Sequence, residues 1–408
     1  MATNSAPLLL ANGHAWDADA RTFRAGMDVL FREGRIAAVG PSLARDAGTH
    51  VLDCTGKYVL PGLIDCHVHL TSGGEAGDLT RRDPIAVRAF EAANNARRTL
   101  MAGFTTVRDL GAPEQLNIHL ARAVEAGTVT GPTILAAGLG VTMTGGHGHG
   151  FIAREADGPD EVRKAVREQL RAGAGAIKLF ASGGVLTPGV DPRSPSFTED
   201  ELRAGVEEAH KAFRVVGAHA QAAEGIKNAI RAGVDSIEHG VWLDEEAIGL
   251  MLERGTFLVA TLTAPGVMAE RGEAEGVAAY AVEKSNLVLA DHLASFQAAM
   301  GAGVKLAMGT DQGTPLNRPG ENGQEIVRLV RAGLSPAAGI LAATAWAAGL
   351  LQIDAGRLDA GLRGDAVVFA SDPITDISVL TRTDQIAAVV HAGDLVRPKP
   401  GSEPDSRL

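Results

Sequence analysis

His67 and His69 stand two residues apart in the apolar run Leu63–His69. In an extended strand that spacing sends both imidazoles to one face, close enough to bind a single metal ion. Taken alone, the pair is also a frequent incidental pattern. Its company changes the reading: Lys178, His219, His239 and Asp311 each close another short apolar run, so five such runs end in a possible metal ligand or base. Four of the twelve histidines fall at these ends. Imidazoles and a carboxylate gathered on one rim are donors suited to a divalent metal ion. Histidines satisfied within a core, with a lysine paired to a carboxylate, are the alternative.

Lys178 needs its own argument, because an ammonium repels a cation. Buried at a strand end beside metal, its pKa would fall. The neutral amine can then take up carbon dioxide as a carbamate, whose two oxygens can bridge two divalent ions. A lysine that contacts substrate or an acidic neighbour fits the same letters.

The stretch Gly145-Gly146-His147-Gly148-His149 offers two further imidazoles. Either could hydrogen-bond a developing oxyanion or a substrate carboxylate, with His147 preferred and His149 also readable as a residue that holds its own loop. No Gly-Lys-Ser/Thr follows, so a phosphate loop is not indicated. Ser182–Phe197, with Pro188, Pro192 and Pro195, follows Lys178 and reads as a lid or specificity wall, or as a surface excursion. Arg193 within it and Arg318 after Asp311 are candidate carboxylate anchors, or solvated loop arginines. His14, His50, His119, His210, His292 and His391 read as surface or packing residues.

What must position these groups is visible in the glycines, 50 in 408 residues. Ala-Gly recurs at 102–103, 172–173, 232–233 and 302–303, each time before a short apolar run. Helix, glycine, then a strand buried on both faces, repeated, means a parallel sheet. The strands predicted are Leu63–His69, Thr105–Asp109, Thr133–Ala137, Ala176–Phe180, Val215–His219, Ser236–His239, Phe257–Thr261 and Lys305–Asp311. Between them lie helical patterns over Asp160–Ala172, Glu199–Phe213 and Glu245–Arg254, the second opened by Thr198 with Glu201 three residues on. Eight parallel strands with helical crossovers predict an α/β fold, a (β/α)8 TIM barrel, whose active site lies at the carboxyl ends of the strands. An open doubly wound sheet satisfies the same count.

The two ends read differently. Met27–Gly40 is a hairpin turning at Glu33-Gly34, and Gly364–Ala370 with Gln385–Val396 supplies further strands. Residues 1–60 and 358–408 are predicted to pair into one small discontinuous β-sandwich, with the barrel, 61–357, inserted between them. Pro398 to Leu408 reads as a loose tail.

Composition narrows the function. With 45% apolar and 21% charged residues the chain buries a sizeable core. A net charge of −11 and 4% aromatics leave neither a basic groove nor stacking platforms for nucleic acid. The most apolar window, Leu334–Ile353, is interrupted by Pro336 and reads as a buried helix, so no membrane span is expected. Two cysteines, Cys54 and Cys66, and a polar start point to a reduced, cytoplasmic protein.

Pro61-Gly62-Leu63-Ile64-Asp65-Cys66-His67-Val68-His69 resembles the first-strand motif of the amidohydrolase superfamily, and Leu362-Arg363-Gly364-Asp365-Ala366-Val367-Val368 is similar to its return into the β domain. The resemblance covers nearly the whole chain. It implies that His67 and His69 bind one buried divalent metal, that carboxylated Lys178 bridges it to a second, that His219 and His239 hold the second, and that Asp311 is both ligand and proton shuttle. Zinc is the expected metal. Ile177 to Gly184, Ser236 to Gly240 and Met143 to His149 resemble the prolidase-like group, which includes Xaa-Pro dipeptidases and amidases acting on N-acyl amino acids. Where several dipeptidases of that group carry Tyr or His two residues after the fifth-strand ligand, this chain has Gln221, a departure at a substrate-binding position.

Such a site implies attack of a metal-bridging hydroxide on an amide carbonyl, with Asp311 passing the proton to the departing amine. A small-molecule substrate, of Xaa-Pro dipeptide or N-acyl amino acid type, is expected, and a homo-oligomer by resemblance. The enzyme rivals are a cyclic-amide or carbamate hydrolase and a mononuclear deaminase; the lysine speaks against the deaminase. A catalytically dead binding protein would have lost ligands, and this chain keeps all six.

Overall fold

The computed structural model describes residues 6–76 and 83–397; the tail from Pro398 to Leu408 lies outside them. Near the amino terminus, short apolar runs between turn signals form β1 (Leu8–Asp17), β2 (Thr22–Arg32), β3 (Arg35–Gly40), β4 (His50–Asp53) and β5 (Tyr58–Pro61). β2 and β3 are the expected hairpin, turning at Glu33 (φ 51°) and Gly34 (φ 77°). Two successive left-handed residues match the twist of the strands they join.

Strand and helix then alternate. β6 (Leu63–Val68), α1 (Ile85–Met101), β7 (Phe104–Asp109), α2 (Leu116–Glu125) and β8 (Thr133–Ala136) form a parallel three-stranded sheet with its crossovers. The next sheet takes β9 (Gly140–Thr142), β10 (Ala153–Glu155), β11 (Ile177–Phe180), β12 (Val216–Ala220), β13 (Ser236–His239) and β14 (Phe257–Val259). Its crossovers are α3 (Gly158–Ala172), α4 (Glu199–Lys211), α5 (Ala223–Ala232) and α6 (Glu245–Arg254). Gly173 and Gly233 end α3 and α5 at φ 104° and 96°, the left-handed turn that the Ala-Gly repeat predicted. Thr198 and Glu201 close the predicted capping box on α4.

α7 (Thr263–Arg271) and α8 (Ala279–Ala302) follow, with α9 (Gly323–Arg331), α10 (Pro336–Ala342) and α11 (Ala345–Leu351). The apolar window 334–353 is therefore two helices. Its break falls at Thr344 (φ −138°, ψ −101°) and not at Pro336, which sits in the first turn of α10, where its missing N–H costs nothing. Among the described residues no helix is long and apolar enough to cross a membrane.

Hydrogen bonds span both seams between the two sheets. Gly175 N donates to Ala136 O (2.8 Å), joining β8 to the start of β11. The eighth expected strand, Lys305–Asp311, is not a regular strand but an irregular bridging segment. Leu258 N donates to Lys305 O (2.8 Å) on one side, while Cys66 N donates to Met308 O (2.9 Å) and Asp311 N to His67 O (2.8 Å) on the other. A Cβ at Gly309 would fall 2.5 Å from Val259 and 2.9 Å from the His67 Cβ, so only glycine lets the segment lie this close to β6. The fold is TIM-barrel-like, with an added sheet.

That sheet is completed by β15 (Ala366–Phe369), β16 (Ile386–His391) and β17 (Asp394–Arg397), in the order β17-β16-β15-β5-β1-β2-β3 with β4 beside β1. Where a sandwich of separate sheets was expected, the hydrogen bonding is continuous. The long β1 is bulged between Leu10 and Gly13, pairing with β4 through Leu8–Ala11 and with β5 through His14–Ala15.

Candidate active site

Alternation along β11 sends Ile177 and Leu179 into the helix-facing core and Lys178 with Phe180 into the interior, where both line one pocket. On β12 the same rule aims His219 inward, followed by Gln221. β13 breaks it. Glu238 and His239 are neighbours, yet both reach the interior, because His239 sits at φ 74°. Asp311, at φ 57°, is a second left-handed non-glycine residue at the site. Such conformations persist only where the surroundings enforce them, and they cluster at functional sites.

These placements bring His67, His69, Lys178, His219, His239 and Asp311 onto the wall of the same pocket. Asp311 Oδ1 lies 3.4 Å from His67 Nε2 and 3.2 Å from His69 Nε2. Lys178 Nζ is 3.5 Å from His67 Nε2. One donor atom each from His67, His239 and Asp311 lies within 4.8 Å of the others. The His219 ring stands 4.5 Å from those of His239 and His147.

Each imidazole is held from behind through one ring nitrogen. His69 Nδ1 meets Gly111 O (2.9 Å), His239 Nδ1 meets Thr261 Oγ1 (2.7 Å), His219 Nε2 meets Gly183 O (2.8 Å), and His67 Nδ1 meets Glu238 Oε2 (2.9 Å). The other nitrogen of each ring is left for the pocket, the arrangement in which outer partners orient metal-binding histidines. Burial holds the pKa values of His67, His219 and His239 well below the usual imidazole value. Burial also depresses His69, but Asp311 beside it outweighs that and raises its pKa. Burial lowers Lys178 to about 8 against the pull of Glu238 and Asp311. At Asp311, burial is overcome by His67, His69 and Lys178, which bring its pKa down to about 2. Imidazoles held neutral at His67, His219 and His239, an ionised Asp311 carboxylate and a lysine with a lowered pKa are a donor set suited to divalent cations.

His147 lines the pocket, its Nδ1 against Thr187 Oγ1 (2.7 Å). His149 instead bonds Gly146 O within its own loop (2.8 Å), the structural reading of that residue, and lies outside the pocket lining. Ser182–Phe197 is a wall: Val185 and Leu186 face the pocket, and Lys284 of α8 ties the segment down through the carbonyls of Thr187 (2.8 Å) and Val190 (2.6 Å). Neither arginine reaches the pocket lining. Arg193 is paired with Asp191 two residues away (2.7 Å), and Arg318 lies 3.7 Å from Glu275, both half-exposed. Gln221 is buried in the lining, and its Oε1 has no hydrogen-bond partner among the described residues.

Several residues escaped the sequence reading. His292, assigned to surface or packing, lines the pocket from α8 with Nε2 3.0 Å from His239 O. Asp65 accepts from His67 N (3.0 Å), Thr310 Oγ1 (2.7 Å) and Asn322 Nδ2 (2.8 Å), fastening the bridging segment to β6. Glu238 and Arg108 form a fully buried ion pair (2.7 Å). The charged residues Arg108 and Glu238, each within a short strand predicted to be buried, were the available signal for it.

The family model described as the amidohydrolase family matches residues 58–396. An ochratoxinase of Aspergillus niger is 33% identical over 374 residues, covering 83% of this chain and 75% of the relative. A Xaa-Pro dipeptidase crystallised with methionine in its active site superposes with a TM-score of 0.88 at 32% identity, covering 95% of this chain and 99% of the other. A prolidase complexed with N-methylphosphonate-L-proline gives a TM-score of 0.90 at 32% identity, over 96% and 100% of the two chains. With its motifs, its fold and its gathered imidazoles in agreement with these matches, the chain belongs to the amidohydrolase family and is a hydrolase acting on C–N bonds.

Proposed function

We propose that this protein is a binuclear metal hydrolase that cleaves an amide bond in an N-acyl amino acid or an Xaa-Pro type dipeptide. The observation that carries the reading is the meeting of six donors, from separate stretches of the chain, on the wall of one pocket. In this reading residues 61–357 are a (β/α)8 barrel that holds the site, the described parts of 1–60 and 358–408 form a second domain beside it, and the protein works in the reduced cytoplasm, where Cys54 and Cys66 stay free.

His67 and His69 would hold one ion, His219 and His239 the other, with Asp311 as a further ligand and Lys178, carboxylated on Nζ, between them. Zinc is the proposed metal. Ions bound there would acidify a water and polarise the scissile carbonyl. Asp311 is placed to hold a proton on its carboxylate and pass it to the departing nitrogen, without which an amide does not cleave. His147 supplies a hydrogen bond to the carbonyl oxygen as it gains charge.

Phe151, Ile152, Val185, Leu186, Met268 and Val288 make the outer pocket apolar, which suits an acyl or side-chain group of the same character. Gln221 offers a neutral amide where several dipeptidases of the prolidase-like group that this chain resembles carry Tyr or His. These two features favour N-acyl amino acids with an apolar acyl group over free dipeptides.

The test is metal content together with a substrate panel. About two equivalents of metal per chain, activity lost on chelation and restored by zinc, manganese or cobalt, and turnover of N-acyl amino acids ahead of Xaa-Pro dipeptides, lactams and carbamates are expected. About one equivalent with deamination would replace this reading by the mononuclear one. Metal-free protein with stability unchanged by chelator would remove it.

A further inference from the structure

Behind His67 lies a polar network that the chemistry above does not use. Glu238 Oε2 faces His67 Nδ1 at 2.9 Å, while Oε1 accepts from Arg108 Nη2 (2.7 Å) and Ser236 Oγ (2.5 Å). Arg108 also donates to Cys66 O through Nε (2.7 Å) and to Ser236 Oγ through Nη1 (3.1 Å). Both charged side chains are 0% exposed. The barrel makes room for them: a Cβ at Gly217 would fall 2.8 Å from Glu238 Oε1 and 3.2 Å from Arg108 Nη1.

A buried ion pair is poor material for stability, since an apolar pair of similar volume does as well or better. Its use lies in what the carboxylate does to the ring. Carboxylate oxygens only accept, so the His67 proton must sit on Nδ1 and the lone pair on Nε2. That Nε2 is the atom facing Asp311 Oδ1 and Lys178 Nζ. His69, His219 and His239 are backed by neutral oxygens, of Gly111, Gly183 and Thr261; His67 is backed by an anion. An anionic partner raises the basicity of the opposite nitrogen.

We infer that Glu238 is a positioning residue that fixes His67 as the Nδ1–H tautomer and strengthens its Nε2 as a metal donor, and that Arg108 holds the Glu238 carboxylate in place for this. The inference rests on the metal reading proposed above.

Two measurements test it. In native, metal-free protein labelled with 15N-histidine, His67, assigned by loss of its signals in His67→Asn, is expected to carry its proton on Nδ1; a proton on Nε2 overturns the proposal, and no altered core is needed to learn this. In chelator-competition titrations with zinc, Glu238→Gln and the double variant Arg108→Met/Glu238→Gln are both expected to bind about 10- to 100-fold more weakly than the native chain. Native affinity in Glu238→Gln, or its recovery in the double variant, would reduce the network to a structural ion pair. If the native chain itself binds no zinc, the binuclear reading fails, while the tautomer still decides the role of Glu238.

Discussion

Thr187 Oγ1 lies 2.7 Å from His147 Nδ1 and accepts the Gly148 N–H at 3.0 Å. With one proton and two lone pairs that hydroxyl can accept the Gly148 N–H and donate to the imidazole, and burial holds the pKa of His147 well below its ordinary value. The neutral ring then carries its proton on Nε2, a donor for an oxygen that gains charge.

His147→Ala is expected to lower kcat/KM for an amide substrate about 10²- to 10³-fold. Thr187→Val, which frees the ring to choose its tautomer, should cost about tenfold. Steady-state kinetics with metal content measured in parallel checks both, since neither variant should change the metal bound per chain.

Gly184 packs beneath that ring: a Cβ there would lie 2.6 to 2.7 Å from three ring atoms of His147. Gly184→Ala should displace the imidazole and lose activity on the scale of His147→Ala. Adding Gly184→Ala to His147→Ala should cost little more, a non-additivity that a double-mutant cycle reads directly.

Asp311→Asn separates proton delivery from attack. A poor leaving group such as an amine needs the proton, whereas an activated ester does not. The variant is expected to lose about 10³-fold or more on amides and clearly less on a matched p-nitrophenyl ester, with an equal loss on both pointing to metal binding alone.

Lys178 predicts the pH dependence of the metal-free fold. Its folded pKa of about 8 lies below the ordinary 10.5, chiefly because burial disfavours the ammonium. Between those two values the unfolded chain binds the proton and the folded chain does not, so stability rises with pH across about 8 to 10.5. The shift corresponds to about 3 kcal/mol. Urea unfolding of the apoprotein should show that rise, and Lys178→Met should flatten it.

The rim of the site was legible because strand periodicity and metal chemistry point the same way. In β11, Lys178 and Phe180 share a face by simple alternation, and the glycine-ended helices locate the strands. What stayed hidden depends on backbone departures or distant partners. Alternation turns Glu238 inward with Ser236 and would turn His239 outward with Ile237, and only the left-handed φ of His239 brings its ring in beside Glu238. Thr187 and His147 are 40 residues apart, joined only by the folding of a proline-rich segment. The eighth segment reads as a strand by composition, yet it is irregular, its close packing at Gly309 leaving no regular ladder. Arg193 invited a ligand role, but Asp191, two residues earlier, already occupies it.

β5 is paired on one side with β1 and on the other with β15, a strand made much later. At about 5 to 20 residues per second, the roughly 300 residues between them keep a ribosome busy for about 15 to 60 s. For that time the nascent chain displays the backbone edge of Tyr58–Pro61, with Val59 and Leu60, to any other extended chain nearby. Recovery of soluble protein from cells should thus follow translation speed and chaperone supply more closely than the equilibrium stability of the finished molecule.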